Sequence, residues 1–239
     1  MGELVIGLIP PLLGILLSPL AIMALVAELL SQRFRANGLA FCIGWIAAAI
    51  VVVGVSLAVF TAVDFHPRNE TPLWLGVVRL VIAIGLILVA VWVFRRGGSR
   101  LRKMSSATSP GDVVAAAPQL PGWLQRVSDF TPGRSLALGF GIFALNPVDA
   151  SCAVIAGLDI ASAPISLASG AFVAVGFIVV AVVPVAAPVC FVLVRGAAAA
   201  PTLERLRTWI AGHTNVLNAA LVLVIGVLQL QKAISALLS

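Results

Sequence analysis

Apolar residues run along this chain in blocks too long for the helices of an ordinary core. Stretches of at least about 18 residues occur six times, at roughly 4–30, 38–63, 73–94, 135–158, 164–194 and 214–237. Each is long enough to cross the hydrocarbon of a bilayer as a helix. The fifth holds Pro184 and Pro188, which take donors out of the helix ladder and predict a kink or break toward its cytoplasmic end. The opening MGELVIGL has an acid where a secretory signal carries basic residues. It reads as the start of the first span.

The polar positions between the blocks orient them. Arg33 and Arg35 lie between spans one and two. Arg95, Arg96, Arg100, Arg102, Lys103, Arg126 and Arg134 lie between three and four, and Arg195, Arg205 and Arg207 between five and six. These alternate connections hold 12 of the 15 Lys and Arg. The opposite ones hold Asp64, Arg68, Glu70 and Asp159. The positive-inside rule then places the basic loops in the cytoplasm and both termini outside, in the plasma (inner) membrane.

Composition agrees. Of 239 residues 61% are apolar and 10% charged, with a mean hydropathy of +1.14. A soluble domain of this length cannot hide so much hydrocarbon. The net charge of +6 sits where topology and lipid headgroups explain it, so no nucleic-acid partner is expected. Cys42, Cys152 and Cys190 lie in apolar segments without CxxC or Cys/His spacing, and read as small packing residues.

The long loop divides the chain into 1–96, a basic cytoplasmic linker 97–134, and 135–239. Its stretch SSATSPGDVVAAAPQLPG is low in complexity. Next, PGWLQRVSDFTPG places Trp123, Leu124, Val127 and Phe130 on one helical face, as a short interfacial helix or a plain loop. PTLERLRTWIAG has the same character, with Leu203, Leu206 and Ile210 on one side.

The two halves echo each other. GILLSPLAIMALVAELL followed by NGLAFCIGW matches GIFALNPVDASCAVIAGL followed by ASGAFVAVGF. Each has an apolar run broken at Ser18-Pro19 or Asn146-Pro147. Each then reaches Ala-Phe and a glycine with an aromatic: Ala40, Phe41, Gly44, Trp45 and Ala171, Phe172, Gly176, Phe177. A repeat of three spans must enter the second time from the other side. The expected fold is therefore an all-α membrane protein of six transmembrane helices in two inverted three-helix repeats, as in secondary transporters. Chance similarity between apolar segments is the competing explanation.

Both breaks fall near the midplane. Asn146 lies about 16 Å along the helix from Ser135, and Ser18 about 18 Å from Leu30, in a core roughly 30 Å thick. Proline there frees a carbonyl one turn earlier, and such a group survives only against protein or a wet cavity. A single break would be an ordinary kink. The pair proposes a substrate-binding site of Ser18, Pro19, Asn146, Pro147 and Asp149.

Asp149 lies about 21 Å from the cytoplasmic end of its span, and Arg79 about 22 Å from Phe94. An acid alone at that depth costs at least about 2.5 kcal/mol, and pairing with arginine relieves the cost. An Asp149–Arg79 ion pair is expected, as a structural clasp or as a gate or coupling element. Glu28, close to Arg33 and Arg35, reads as solvated or snorkelling and not as a site, and His213 and Asn215 as interfacial. No His, Cys, Asp and Glu converge at one depth, so no metal site is expected. No nucleophile–base pair or Walker motif is present, so the chain reads as neither an enzyme nor a cofactor protein.

LLSPLAIMAL followed by QRFRANGLAFCIGW, and PGWLQRVSDFTPGRSLALGFGIFALNPVDASCAVIAGLDIA, resemble the peptidoglycolipid addressing proteins of actinobacteria. These are also described as sulfolipid-addressing proteins, within the lysine exporter superfamily. The resemblance is strongest over about 14–54 and 121–160. It implies two inverted three-helix repeats and a role in moving complex cell-envelope lipids, often beside a larger lipid exporter. The Ser-Pro motif carries onto Ser18 and Pro19, the Asn-Pro motif onto Asn146 and Pro147. Relatives commonly continue Asn-Pro with lysine and asparagine, where this chain has Val148 and Asp149. That exchange bears on the headgroup or the coupling ion.

The expected function is export of envelope lipids such as glycolipids through a cleft between the repeats, small residues such as Gly170 and Gly176 allowing close, movable packing. An exporter of a small polar solute or cation needs a narrow polar site, against which the scarcity of intramembrane polar residues counts. An accessory scaffold of a larger lipid-export complex needs a partner surface, such as the basic loop. The expected partner is a membrane lipid, with a larger exporter or a homo-oligomer also compatible.

Overall fold

The computed structural model describes residues 2–31, 33–62, 73–105 and 130–238. The described elements are helical: α1 (Gly2–Leu16), α2 (Pro19–Leu29), α3 (Phe34–Ala62), α4 (Leu73–Ser105), α5 (Pro132–Leu145), α6 (Pro147–Ala161), α7 (Leu167–Arg195) and α8 (Ala200–Leu238), with one 3₁₀ turn at Gly196–Ala199. Among the described residues three helices are long and apolar enough to cross a membrane: α3, α4 over Gly76–Arg95, and α7. Two further candidates are bent pairs, α1 with α2 and α5 with α6. α8 adds a shorter apolar stretch, Val222–Leu237.

Both breaks form in the same way. Ser18 (φ −64°, ψ 101°) and Asn146 (φ −73°, ψ 115°) are extended, the conformation that a following proline imposes by its clash with the αR region. Pro19 and Pro147 then occupy the first position of the next helix, where a missing N–H costs no intrahelical bond. The bends are 44° and 67°. Pro184 and Pro188, by contrast, do not break their helix: α7 runs unbroken over 29 residues. They lie one turn apart, so the N–H that Pro188 lacks would have served the Pro184 carbonyl, and the damage falls on one face.

α4 lies along α8, α3 packs on α5, α6 and α7, and α1 packs on α6 and α7. Trp45 is fully buried in the core, edge-on to Phe143 with ring centroids 4.9 Å apart and beside Phe41 at 6.5 Å. The crossing of α3 and α5 is close because glycine lies on both sides of it. A Cβ on Gly44 would strike the Leu136 carbonyl, and one on Gly139 the Phe41 carbonyl. Outward positions such as Phe172 and Val194 are apolar and exposed, as helices facing lipid require.

Three sequence expectations change. α6 continues to Ala161, so Asp159 belongs to a helix and is buried rather than in a loop. PTLERLRTWIAG is the first part of the continuous α8, not a separate interfacial helix. Its Leu203 is buried and Leu206 partly so. Glu28 is fully buried, not solvated. Trp123, Leu124 and Val127, like Asp64, Arg68 and Glu70, lie outside the described residues.

Candidate functional site

The two breaks meet. Ser18 Oγ donates to Asp149 Oδ2 at 2.9 Å, and Asn146 Nδ2 donates to the same oxygen at 2.7 Å. Asn146 Nδ2 also lies 3.4 Å from Ser18 Oγ, while Asn146 Oδ1 caps α6 by accepting from the Val148 amide at 3.2 Å. Ser18 is the N-cap of α2 yet makes no side-chain cap bond to it; its hydroxyl is turned across the interface instead. Asp149 sits in the first turn of α6, where the helix dipole favours an acid. Asp149 and Ser18 are buried, and among the described residues Asp149 Oδ1 has no hydrogen-bond partner. Pro19 is buried, Asn146 partly exposed and Pro147 exposed.

Thus Ser18, Asn146 and Asp149, grouped by the sequence into one candidate site, form one polar knot between the two helix breaks. Arg79 is not part of it. Its guanidinium donates to Asp159 Oδ1 at 2.7 Å, with Gln229 Oε1 at 3.3 Å and Ser162 Oγ at 3.4 Å. Lys232 Nζ holds the other Asp159 oxygen at 2.8 Å. The expected Asp149–Arg79 pair is replaced by an Arg79–Asp159–Lys232 cluster joining α4, α6 and α8.

The bend explains the exchange. α6 departs from the direction of α5 by 67°. Each residue after Asn146 then advances only about 0.6 Å along that direction, not 1.5 Å. Asp159 comes to lie at about 24 Å from Ser135, close to the about 22 Å of Arg79. Counting along a straight helix had put Asp149 at that level. Sequence reasoning also passed over Gln229 and Lys232, although the polar run Gln229, Gln231 and Lys232 interrupts the last apolar block.

A cavity of about 620 Å³ opens beside this cluster, between α1, α4 and α8. Arg79, Ser162, Gln229, Gln231, Lys232 and Ser235 form its polar side; Ile6, Pro10, Ile225 and Leu228 are among its apolar walls. The Lys232 ammonium passes close to Gly7, whose added Cβ would lie 3.6 Å from Nζ. An adjoining cavity of about 290 Å³ carries Glu3, Asp159 and Lys232. Two cations face one buried carboxylate here, with the exposed Glu3 at the neighbouring mouth. Such a surface accepts an anionic group, and the apolar walls accept alkyl chains.

Among the described residues no group of three or more His, Cys, Asp and Glu has the geometry to hold a metal ion. Neither a curated protein nor a solved structure matches the chain. A family model described as Sap, sulfolipid-1-addressing protein, matches residues 8–235. With nearly its whole length matched, this helical membrane protein belongs to the sulfolipid-1-addressing protein family.

Proposed function

We propose that the protein is an inner-membrane carrier that exports an anionic envelope lipid, the class to which a sulfated glycolipid belongs. The observation that carries this reading is the cavity of about 620 Å³ that sets Arg79 and Lys232 against apolar walls. A headgroup bearing sulfate or phosphate finds two cations there, and its first methylenes find Ile6, Pro10 and Leu228. The family's printed description, sulfolipid-1-addressing, supports a lipid of that charge. A carrier for a small polar solute would need polar walls, and these are mostly apolar.

The mechanism follows from two inverted repeats with both termini outside. Each half has a bent pair, a 29-residue helix and a long helix, in that order. The acids Glu28 and Asp159 each precede the matching Phe41 and Phe172 by the same 13 residues. The Ser18–Asn146–Asp149 knot holds the halves together at the midplane, and rocking of one half against the other requires it to open. Arg79, Asp159 and Lys232 form the outer closure and meet the headgroup as it leaves. Reconstitution tests this. Protein-dependent movement of a sulfated glycolipid between vesicle leaflets is expected, and movement no faster than in empty vesicles refutes it.

A further inference from the structure

A second polar site lies at the other end of α2. Glu28 is fully buried, and among the described residues neither of its carboxylate oxygens has a hydrogen-bond partner. It faces Asn37 of α3 and Ser135 of α5, both fully buried. Asn37 Oδ1 is also a buried acceptor without a donor among the described residues.

The described donors close by already serve backbone carbonyls. Asn37 Nδ2 donates to the Phe130 carbonyl at 2.9 Å, Ser135 Oγ to the Thr131 carbonyl at 3.2 Å, and Ser31 Oγ to the Glu28 carbonyl at 2.7 Å. The neighbouring Arg33, Arg35 and Arg134 are exposed, and none of them forms an ion pair or hydrogen bond with the carboxylate. Glu28 further occupies the last turn of α2, where the helix dipole opposes an acid and favours a cation. A buried carboxylate set against that dipole is costly unless positive charge joins it.

We propose that Glu28, Asn37 and Ser135 form a binding site for a desolvated monovalent cation of the sodium class. All three supply oxygen, the ligand that hard cations take. One carboxylate among neutral oxygens balances one positive charge, whereas a divalent ion would leave the buried site charged. Glu28 and Asn37 come from the first half and Ser135 from the second, so the ion ties the halves at the opposite end of α2 from Ser18. The site stands on these contacts and not on the lipid reading.

Equilibrium binding of radioactive sodium to the purified full-length protein, with choline chloride holding ionic strength constant, tests it. Wild type is expected to bind sodium saturably, with heat stability rising as sodium replaces choline. Glu28→Gln, nearly the same shape, should lose affinity at least about tenfold, because the charge of the ligand set governs cation binding. Ser135→Ala, a milder change that keeps Glu28, should weaken it several-fold. Wild-type binding no greater than that of Glu28→Gln overturns the proposal. So does unaltered affinity in Ser135→Ala, or a Glu28→Gln protein more heat-stable than wild type in both salts, which would mean that a proton alone neutralises the carboxylate.

Discussion

Ser18 donates its hydroxyl hydrogen to Asp149 across 131 residues of chain, at 2.9 Å and out of reach of water. One helix break thus supplies the donor and the first turn after the other supplies the acceptor. The pair should behave as a unit. Ser18→Ala removes a bond to a buried carboxylate and should cost about 1–3 kcal/mol in thermal unfolding of the detergent-solubilised protein. Combined with Asp149→Asn, the loss should fall short of additivity by about 1 kcal/mol. Additive losses would mean that the two side chains do not cooperate.

Asp159 binds two cations of unequal exposure, and this sets the order of three substitutions. Asp159→Asn leaves Arg79 buried without its carboxylate and should destabilise by about 3 kcal/mol. Lys232→Gln should cost under about 1 kcal/mol, since screened ion pairs contribute little; the Lys232 side chain is 38% exposed. Arg79→Gln should fall between. Melting temperatures of the three variants provide the check, and a Lys232→Gln effect equal to that of Asp159→Asn would contradict the assigned geometry.

Gly44 and Gly139 face backbone, not flexible side chains. Alanine at either position must push α3 and α5 apart, at about 3 kcal/mol or more, with loss of monodisperse protein on size-exclusion chromatography. Gly54→Ala meets nothing within 4 Å, and should be neutral or stabilising by up to about 1 kcal/mol. Equal behaviour of the Gly44 and Gly54 variants would count against the close crossing.

The breaks were legible in the sequence because proline inside an apolar block acts locally: it fixes the residue before it and starts a new helix. Their meeting was partly legible, through the matched depths of Ser18 and Asn146. Arg79's partner was not. Depth counted at 1.5 Å per residue presumes a straight axis, and the 67° bend brings Asp159 to the level assigned to Asp149. Glu28 was misread for a related reason. Arg33 and Arg35 are near it in sequence, but α2 turns the acid toward Asn37 and Ser135 while the arginines face out. Pro184 and Pro188 show the limit of the proline rule, since α7 absorbs both without a break.

Lipid retained through purification, identified by native mass spectrometry of wild type and of Arg79→Gln/Lys232→Gln, bears on the carrier reading more than any other observation. The cavity beside these two cations predicts a defined anionic lipid on the wild type, largely lost from the double variant while the protein stays folded. Bulk membrane lipid alone, in the same amounts on both proteins, would contradict an anionic headgroup site and the carrier built on it.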